Sequence, residues 1–104
     1  MKLQITGKNV TIDTQTRELI NAKFTKAEHY APTLVNMNII LEEEHASKII
    51  HLTAHIDKAD IHLKEEHDHF PKAIELIFER LNRQLKKHKH KQQHYTHDTI
   101  ANHI

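Results

Sequence analysis

The sequence lacks cysteine and tryptophan, and it has only one glycine and two prolines among its 104 residues. Without cysteine the chain forms neither disulfides nor thiolate metal sites, which suits a reducing compartment. A single glycine leaves no glycine-rich loop of the kind that cradles phosphates, and no nucleophile motif or metal triad stands out. The sequence therefore indicates a protein that is not an enzyme, and we expect no catalytic residue, no cofactor and no bound metal.

Long apolar runs are also missing. No stretch approaches the roughly 20 apolar residues that a membrane-spanning helix requires, and residues 1–7 lack the apolar core of a signal peptide. Hydrophobic residues make up 38% and charged residues 28% of a chain whose formal net charge is +1. At this length such a composition predicts one domain, and we expect a cytoplasmic monomer without membrane contact.

The hydrophobic pattern predicts six elements in the order β-α-β-β-β-α. Alternating apolar and polar residues predict strands over 3–7, 35–42, 49–57 and 61–64, with Val35, Met37, Ile39 and Leu41 on the buried face of the second strand. Helical spacing predicts a helix over 15–31, capped by Asp13 or Thr14, and another over 70–91. Each strand has one apolar face, so we expect an α+β fold: one four-stranded antiparallel sheet with two helices packed on one face. Residues 1–91 form the predicted domain, and the polar residues 92–104 form a flexible C-terminal tail.

The most distinctive local feature is a run of positive charge near the end of the second predicted helix. Residues 80–91 contain six Lys or Arg, two His and no carboxylate, although the whole chain is nearly neutral. On a helical wheel two sets of cations lie beside the apolar stripes, Arg80, Arg83 and Lys87 in the second helix and Lys23 and Lys26 in the first. If the helices lie side by side, we expect these basic flanks to line one groove.

The helix macrodipole accounts for part of this run, because cations near a helix C-terminus are favoured by about 0.3–1 kcal/mol each. A solvated charged face is the ordinary interpretation of any charge run. Six cations without an intervening acid nevertheless exceed what dipole matching needs, and they repel one another at helical spacing. An external polyanion explains the run better, and nucleic-acid phosphate is the commonest polyanion in a cell.

Three short segments are distinctive when taken together. They are LQITGKNV at 3–10, AKFTK at 22–26 followed by EHY at 28–30, and RQLKKHK at 83–89 followed by Lys91. In this order and at these separations they resemble the ribosome hibernation promoting factors and their ribosome-associated inhibitor relatives, the sigma-54 modulation protein family. The Lys87-His88-Lys89 run resembles the short type of promoting factor, and the predicted element order is that of the family.

The resemblance implies a protein that binds the small ribosomal subunit in the channel for mRNA and tRNA anticodon arms, contacting rRNA near the decoding region. It also implies that translation is blocked and that idle ribosomes are stabilised in stationary phase. A separate ribosome modulation factor, acting through the ribosome, would join such ribosomes into inactive dimers. The rRNA-binding residues would be Lys23, Lys26, Arg80, Arg83, Lys86, Lys87, His88, Lys89 and Lys91.

Other interpretations stay open at this point. A generic double-stranded-RNA-binding module also has helices on one face of a sheet, but such domains carry their lysines at the start of the last helix. A structural protein that binds a partner through an open His/Thr sheet face is another. Of the twelve histidines, His51 and His55 share a strand face with His62 close by, but zinc sites without cysteine or a committed carboxylate are unusual. Solvated histidines are the preferred interpretation.

The histidines also predict a pH dependence. An imidazole in water titrates near pH 6.5, so mild acidification adds positive charge to the protein. We expect the affinity for ribosomes or rRNA to rise between neutral and mildly acidic pH at fixed salt, as measured by a binding titration. A flat or falling affinity over this range would contradict the prediction.

Overall fold

A computed structural model describes residues 2–97 of the chain, together with the side chains of residues 2–29 and 31–87. The elements follow one another in the predicted order and confirm the α+β fold class. They are β1 (Lys2–Lys8), α1 (Thr14–Tyr30), β2 (Leu34–Glu44), β3 (Ser47–Ile56), β4 (Ala59–His67) and α2 (Phe70–His97). Predicted positions and observed bounds agree to within a few residues, except at the end of α2.

The four strands form one sheet in the order β1-β2-β3-β4. The β2–β3 and β3–β4 pairs are antiparallel, but β1 pairs with β2 in parallel, with Leu3 opposite Met37 and Ile5 opposite Ile39. The prediction of a wholly antiparallel sheet was therefore wrong at β1. The reason is topological, because α1 carries the chain back along the sheet before β2 begins, and a strand-helix-strand connection joins parallel neighbours.

The first helix begins at a well-defined cap. The backbone N–H of Thr16 donates to Oδ1 of Asp13 at 2.7 Å, which satisfies one of the unpaired donors of the first turn. The helix ends at Tyr30, where Ala31 still donates to the carbonyl of Ala27 at 3.0 Å. Pro32 then prevents continuation, because it has no N–H and disfavours helical geometry in the residue before it.

Both helices cover the same face of the sheet, and the core lies between them and the strands. The largest fully buried side chains are Ile20, Leu34, Met37, Ile39, Leu41, Ile50, Leu52, Ile74, Ile77 and Leu81. Among the side chains that the structure describes, no polar or charged residue is buried. The opposite face of the sheet is open, and it carries the polar residues that alternate with the core residues along each strand.

The start of β2 departs from simple alternation. Val35 was predicted to face the core, but it is 55% exposed, whereas Leu34 is 1% exposed. The register of β2 against β3 shifts between Leu34 and Asn36, which turns the side chain of Val35 outward. Periodicity over the rest of the strand does not reveal such a bulge.

The second helix runs six residues past its predicted end at Lys91. Lysine and glutamine are good helix formers, and extending an existing helix adds one backbone hydrogen bond per residue, so α2 continues without further apolar anchors. The predicted tail therefore begins as helix, and residues 98–104 lie outside the described residues. Of the described helices, neither has the combination of length and apolar character needed to cross a membrane.

The Asp13 cap predicts a specific pH dependence of stability. Hydrogen bonds from the side chain and then the backbone of Thr16 lower the pKa of the Asp13 carboxyl below its ordinary value of 3.8. A group whose pKa falls on folding stabilises the protein above its unfolded-state pKa, and this contribution disappears as the pH drops through the folded-state pKa. We expect Asp13→Asn to lower the free energy of unfolding near neutral pH and to cost progressively less below about pH 3.8.

Urea unfolding at a series of pH values measures this difference. Asp57→Asn, a matched change at an exposed residue outside the helix cap, is the control. An Asp13→Asn penalty that stays constant down to the lowest pH would show that the charged cap is not responsible.

Candidate nucleic-acid interface

The rotation of α2 about its own axis determines where its cations lie. One stripe of the helix is buried against the sheet and α1, namely Ala73, Ile74, Ile77, Phe78, Leu81 and Leu85. Glu75 and Arg80 lie on opposite flanks of this stripe, and each makes a contact that identifies its side. Glu75 meets α1, whereas Arg80 meets β4.

The flank that faces α1 is held by an ion pair. Lys23 Nζ of α1 lies 3.0 Å from Glu75 Oε1, and the Lys23 side chain is only 24% exposed. Lys26, one turn further along the same flank of α1, is exposed. Lys23 therefore joins the two helices, and its charge is partly neutralised before any ligand arrives.

The flank that faces β4 is held by Arg80. Its Nη1 donates to the backbone carbonyl of Lys64 at 2.7 Å and to Oε2 of Glu65 at 2.9 Å. Because β4 is an edge strand, the carbonyl of Lys64 would otherwise be free to pair with another chain. Arg80 thus caps the sheet edge and fixes the position of its own guanidinium.

An open groove of about 500 Å³ runs along this second flank of α2, and it is lined by Arg80, Arg83, Gln84 and Lys87. These positions follow the i, i+3, i+4, i+7 spacing that places residues on one side of a helix. Arg83 and Lys87 are exposed, and neither has a hydrogen-bond or ion-pair partner among the described side chains. The groove therefore presents two cations, Arg83 and Lys87, that no described side chain neutralises.

The two basic flanks do not line one groove, so that prediction was wrong. Lys23 lies toward the α1–α2 contact, while Arg80, Arg83 and Lys87 lie on the β4 side of α2. A helical wheel locates charges on each helix separately, but it does not say which flanks of two helices face each other. The contacts of Glu75 with α1 and of Arg80 with β4 show which flank of α2 faces each element.

The remaining predicted site residues divide into two groups. Lys86 is exposed. His88, Lys89 and Lys91 belong to α2 by their backbone, but their side chains lie outside the described residues. Gln84 was not predicted from the sequence, although helical spacing places it on the same flank as Arg83 and Lys87. Glu65 and Glu75 were not predicted either, because no local pattern reveals partners on other elements.

The histidines of the open sheet face pair with their neighbours across the strands. His55 Nδ1 lies 2.7 Å from Asp60 Oδ1, and His51 Nε2 lies 3.2 Å from Glu42 Oε1. His62 contacts the hydroxyl of Thr53 at 3.2 Å. No group of three or more potential metal ligands occurs among the described residues.

Comparison with known proteins identifies the family of this chain. Residues 3–93 match the family described as Sigma 54 modulation protein / S30EA ribosomal protein. The chain belongs to this family. The resemblance predicted from the three sequence segments is thereby confirmed.

Curated relatives in the family include the ribosome hibernation promoting factor of Escherichia coli (strain K12). It is 37% identical over 91 residues, which span 88% of this chain and 96% of the relative. The ribosome hibernation promoting factor of Pseudomonas putida is 29% identical over 93 residues, covering 89% of this chain and 91% of the relative. The family is one of ribosome hibernation factors and not of enzymes, which confirms the prediction of a non-enzymatic function.

Solved structures also match most of the chain. A ribosomal subunit interface protein from Coxiella burnetii superposes with a TM-score of 0.77 at 28% identity, covering 86% of this chain and 98% of the other. The N-terminal domain of Thermus thermophilus Protein Y also has a TM-score of 0.77, at 18% identity over 84% of this chain and 98% of that one. The second match supports the fold alone.

The contact between Arg80 and Glu65 predicts a measurable coupling energy. The two side chains are 43% and 21% exposed, so solvent screens part of their attraction. We expect a double-mutant cycle of Arg80→Gln and Glu65→Gln to give a coupling of about 0.2–1 kcal/mol in urea unfolding.

The control cycle replaces Arg80→Gln by Arg83→Gln, because Arg83 has no ion-pair partner in the described part of the chain. Its coupling to Glu65→Gln is expected to be close to zero and smaller than the coupling in the Arg80 cycle. Equal couplings in the two cycles would contradict the assignment of Arg80 to the sheet edge.

Proposed function

We propose that this protein is a ribosome hibernation factor that binds the small ribosomal subunit through rRNA phosphates, with the basic flank of α2 as its main contact. The observation that carries the proposal is the groove of Arg80, Arg83, Gln84 and Lys87, in which Arg83 and Lys87 have no partner among the described side chains. Unneutralised cations on a rigid helix attract a polyanion without first breaking internal ion pairs. Membership in a family that includes ribosome hibernation promoting factors supports the ribosome as the source of that polyanion.

The cations of the proposed interface make different kinds of contact. Arg83, with a planar guanidinium, suits bidentate contacts to phosphate or stacking on an exposed base, whereas Lys87 acts as a point charge. Arg80 contributes a guanidinium that is already held by Lys64 and Glu65. Lys26, exposed on the same flank of α1 as Lys23, would extend the contact, while Lys86, His88, Lys89 and Lys91 would continue it along α2.

The proposed location is the channel of the small subunit that mRNA and tRNA anticodon arms occupy, near the decoding region. Occupation of this channel blocks translation, and the bound protein stabilises idle ribosomes in stationary phase. Recognition depends on the shape of the rRNA and on its backbone, because the described groove contains no aromatic side chain to select bases. The protein would act in the cytoplasm, where the ribosomes are, and would be a monomer when it is not bound.

Pairing of inactive ribosomes is a further part of the proposal. In this proposal the chain promotes ribosome dimers together with a separate ribosome modulation factor. That factor acts through the ribosome and does not contact this protein. Sucrose-gradient profiles with and without that factor distinguish dimer promotion from inactivation of single ribosomes.

The alternative of a general double-stranded-RNA-binding module has less support. In the present chain the described cationic groove begins almost three turns into α2, not at its start. Such a module would also bind a plain RNA duplex as well as it binds ribosomes. Parallel binding titrations with purified ribosomes and with duplex RNA compare the two functions directly.

Charge reversal in the groove tests the proposed interface. We expect Arg83→Glu/Lys87→Glu to weaken ribosome binding by at least about thirtyfold, because two contacts of about 1 kcal/mol each are lost and two carboxylates that repel phosphate are introduced. The plot of log affinity against log salt concentration should also become shallower, by about 0.7–0.9 for each phosphate contact removed. Co-sedimentation with purified ribosomes over a range of salt measures both effects.

Lys2→Glu/Arg17→Glu is the matched control, because it makes the same change in net charge at exposed residues outside the groove. Circular dichroism checks that both variants are folded. If the control weakens ribosome binding as much as the groove variant does, binding depends on net charge alone and the proposed interface is wrong.

A further inference from the structure

The groove beside α2 has the dimensions of a small-molecule site as well as of an RNA contact. Its volume of about 500 Å³ lies within the range of about 300–1,000 Å³ that is usual for ligand pockets. From residue 80 to residue 87 the helix rises about 10 Å, so the lining side chains are spread over that length. The described lining contains two guanidinium groups, one ammonium group and one amide, and it includes no carboxylate.

The donors in this groove suit linked phosphates better than a single anion. Arg83 and Lys87 are cations without an ion-pair partner among the described side chains, and Arg80, whose charge is partly balanced by Glu65, supplies further N–H donors. Together they match several negative charges placed in a row, and guanidinium groups form paired hydrogen bonds with phosphate oxygens. The amide of Gln84 adds an uncharged donor between the cations. A single phosphate or sulfate would engage only part of this set.

The guanidinium of Arg80 is held in place before any ligand binds in the groove. Its Nη1 donates both of the hydrogen bonds described above, one to the carbonyl of Lys64 and one to the carboxylate of Glu65. A guanidinium has five N–H groups, so Arg80 keeps further donors for a ligand. Because its position is already fixed, binding requires less ordering of this side chain than of a free arginine.

We propose that the groove of Arg80, Arg83, Gln84 and Lys87 binds a free linear triphosphate, either inorganic or as the phosphate chain of a nucleoside triphosphate, which competes with rRNA for the same cations. The binding step rests on the groove itself, whereas its regulatory consequence rests on the proposed ribosome-binding function. When the triphosphate is plentiful, it occupies the groove and weakens attachment to the ribosome. When it is scarce, the groove is available to rRNA.

The residues that line the groove also predict which phosphate compounds it binds more tightly. It has no aromatic side chain to stack on a base, so it responds to the number of linked phosphates and not to the nucleobase. Each contact between exposed charges is weak, so we expect the groove to bind the triphosphate with a dissociation constant in the millimolar range. Tripolyphosphate and ATP should therefore bind alike, and both should bind at least about tenfold more tightly than AMP.

An NMR titration of the free protein with tripolyphosphate, at constant ionic strength and pH and without magnesium, tests the proposal. Amide shifts are expected to concentrate at residues 80–87 of α2. Arg83→Gln should weaken tripolyphosphate affinity by about three- to fivefold, and Lys87→Gln, the second groove variant, should do the same. Arg17→Gln, an equal charge change at an exposed residue of α1, should leave the affinity within about 1.5-fold of the parent.

A second measurement separates this inference from the proposed function. Ribosome co-sedimentation is repeated with added tripolyphosphate and with sodium chloride at the same ionic strength, and only tripolyphosphate should displace the protein. Ribosome binding without tripolyphosphate binding would overturn the inference and leave the proposed function intact. Equal weakening by Arg17→Gln and Arg83→Gln would also overturn it, because binding would then be unspecific. Tripolyphosphate binding in the groove without ribosome binding would support the site and refute the proposed function.

Discussion

Burial of the apolar stripe of α2 is the constraint on which the site depends. Ile77 and Leu81 are fully buried at the centre of this stripe, and burying a side chain of this size is worth about 1.5–3 kcal/mol. That energy exceeds what any exposed ion pair contributes, so the stripe and not the charges decides how the helix is turned. Once the stripe is buried, Glu75 must face α1 and Arg80 must face β4. The packing of the core therefore determines which side of α2 carries the basic groove.

The fold then divides the cations by what surrounds them. Lys23 and Arg80 are used internally, one joining the helices and the other capping the edge of the sheet. Arg83 and Lys87 project from the same rigid helix without partners among the described side chains. A positive potential on a fixed scaffold is suited to binding a polyanion, since little rearrangement precedes contact.

Much of the fold could be predicted from the sequence, and the exceptions have physical causes. Alternation and helical spacing locate all six elements, because each strand and helix has one apolar face. The parallel pairing of β1 depends on how α1 crosses the sheet, and the outward turn of Val35 depends on a local register shift. Neither is encoded in periodicity. The end of α2 was missed because helix propagation by lysine and glutamine leaves no apolar signal to follow.

The amino-acid sequence alone determined that this chain carries an isolated concentration of cations along its second predicted helix, and its segments sufficed to indicate the family. Those properties are local, since charge, spacing and short motifs do not depend on distant partners. Only the tertiary structure decided which cations are neutralised and which side of the helix they occupy. Glu65 and Glu75 come from different elements, and their pairing with Arg80 and Lys23 exists only after α2 has packed against the sheet and α1.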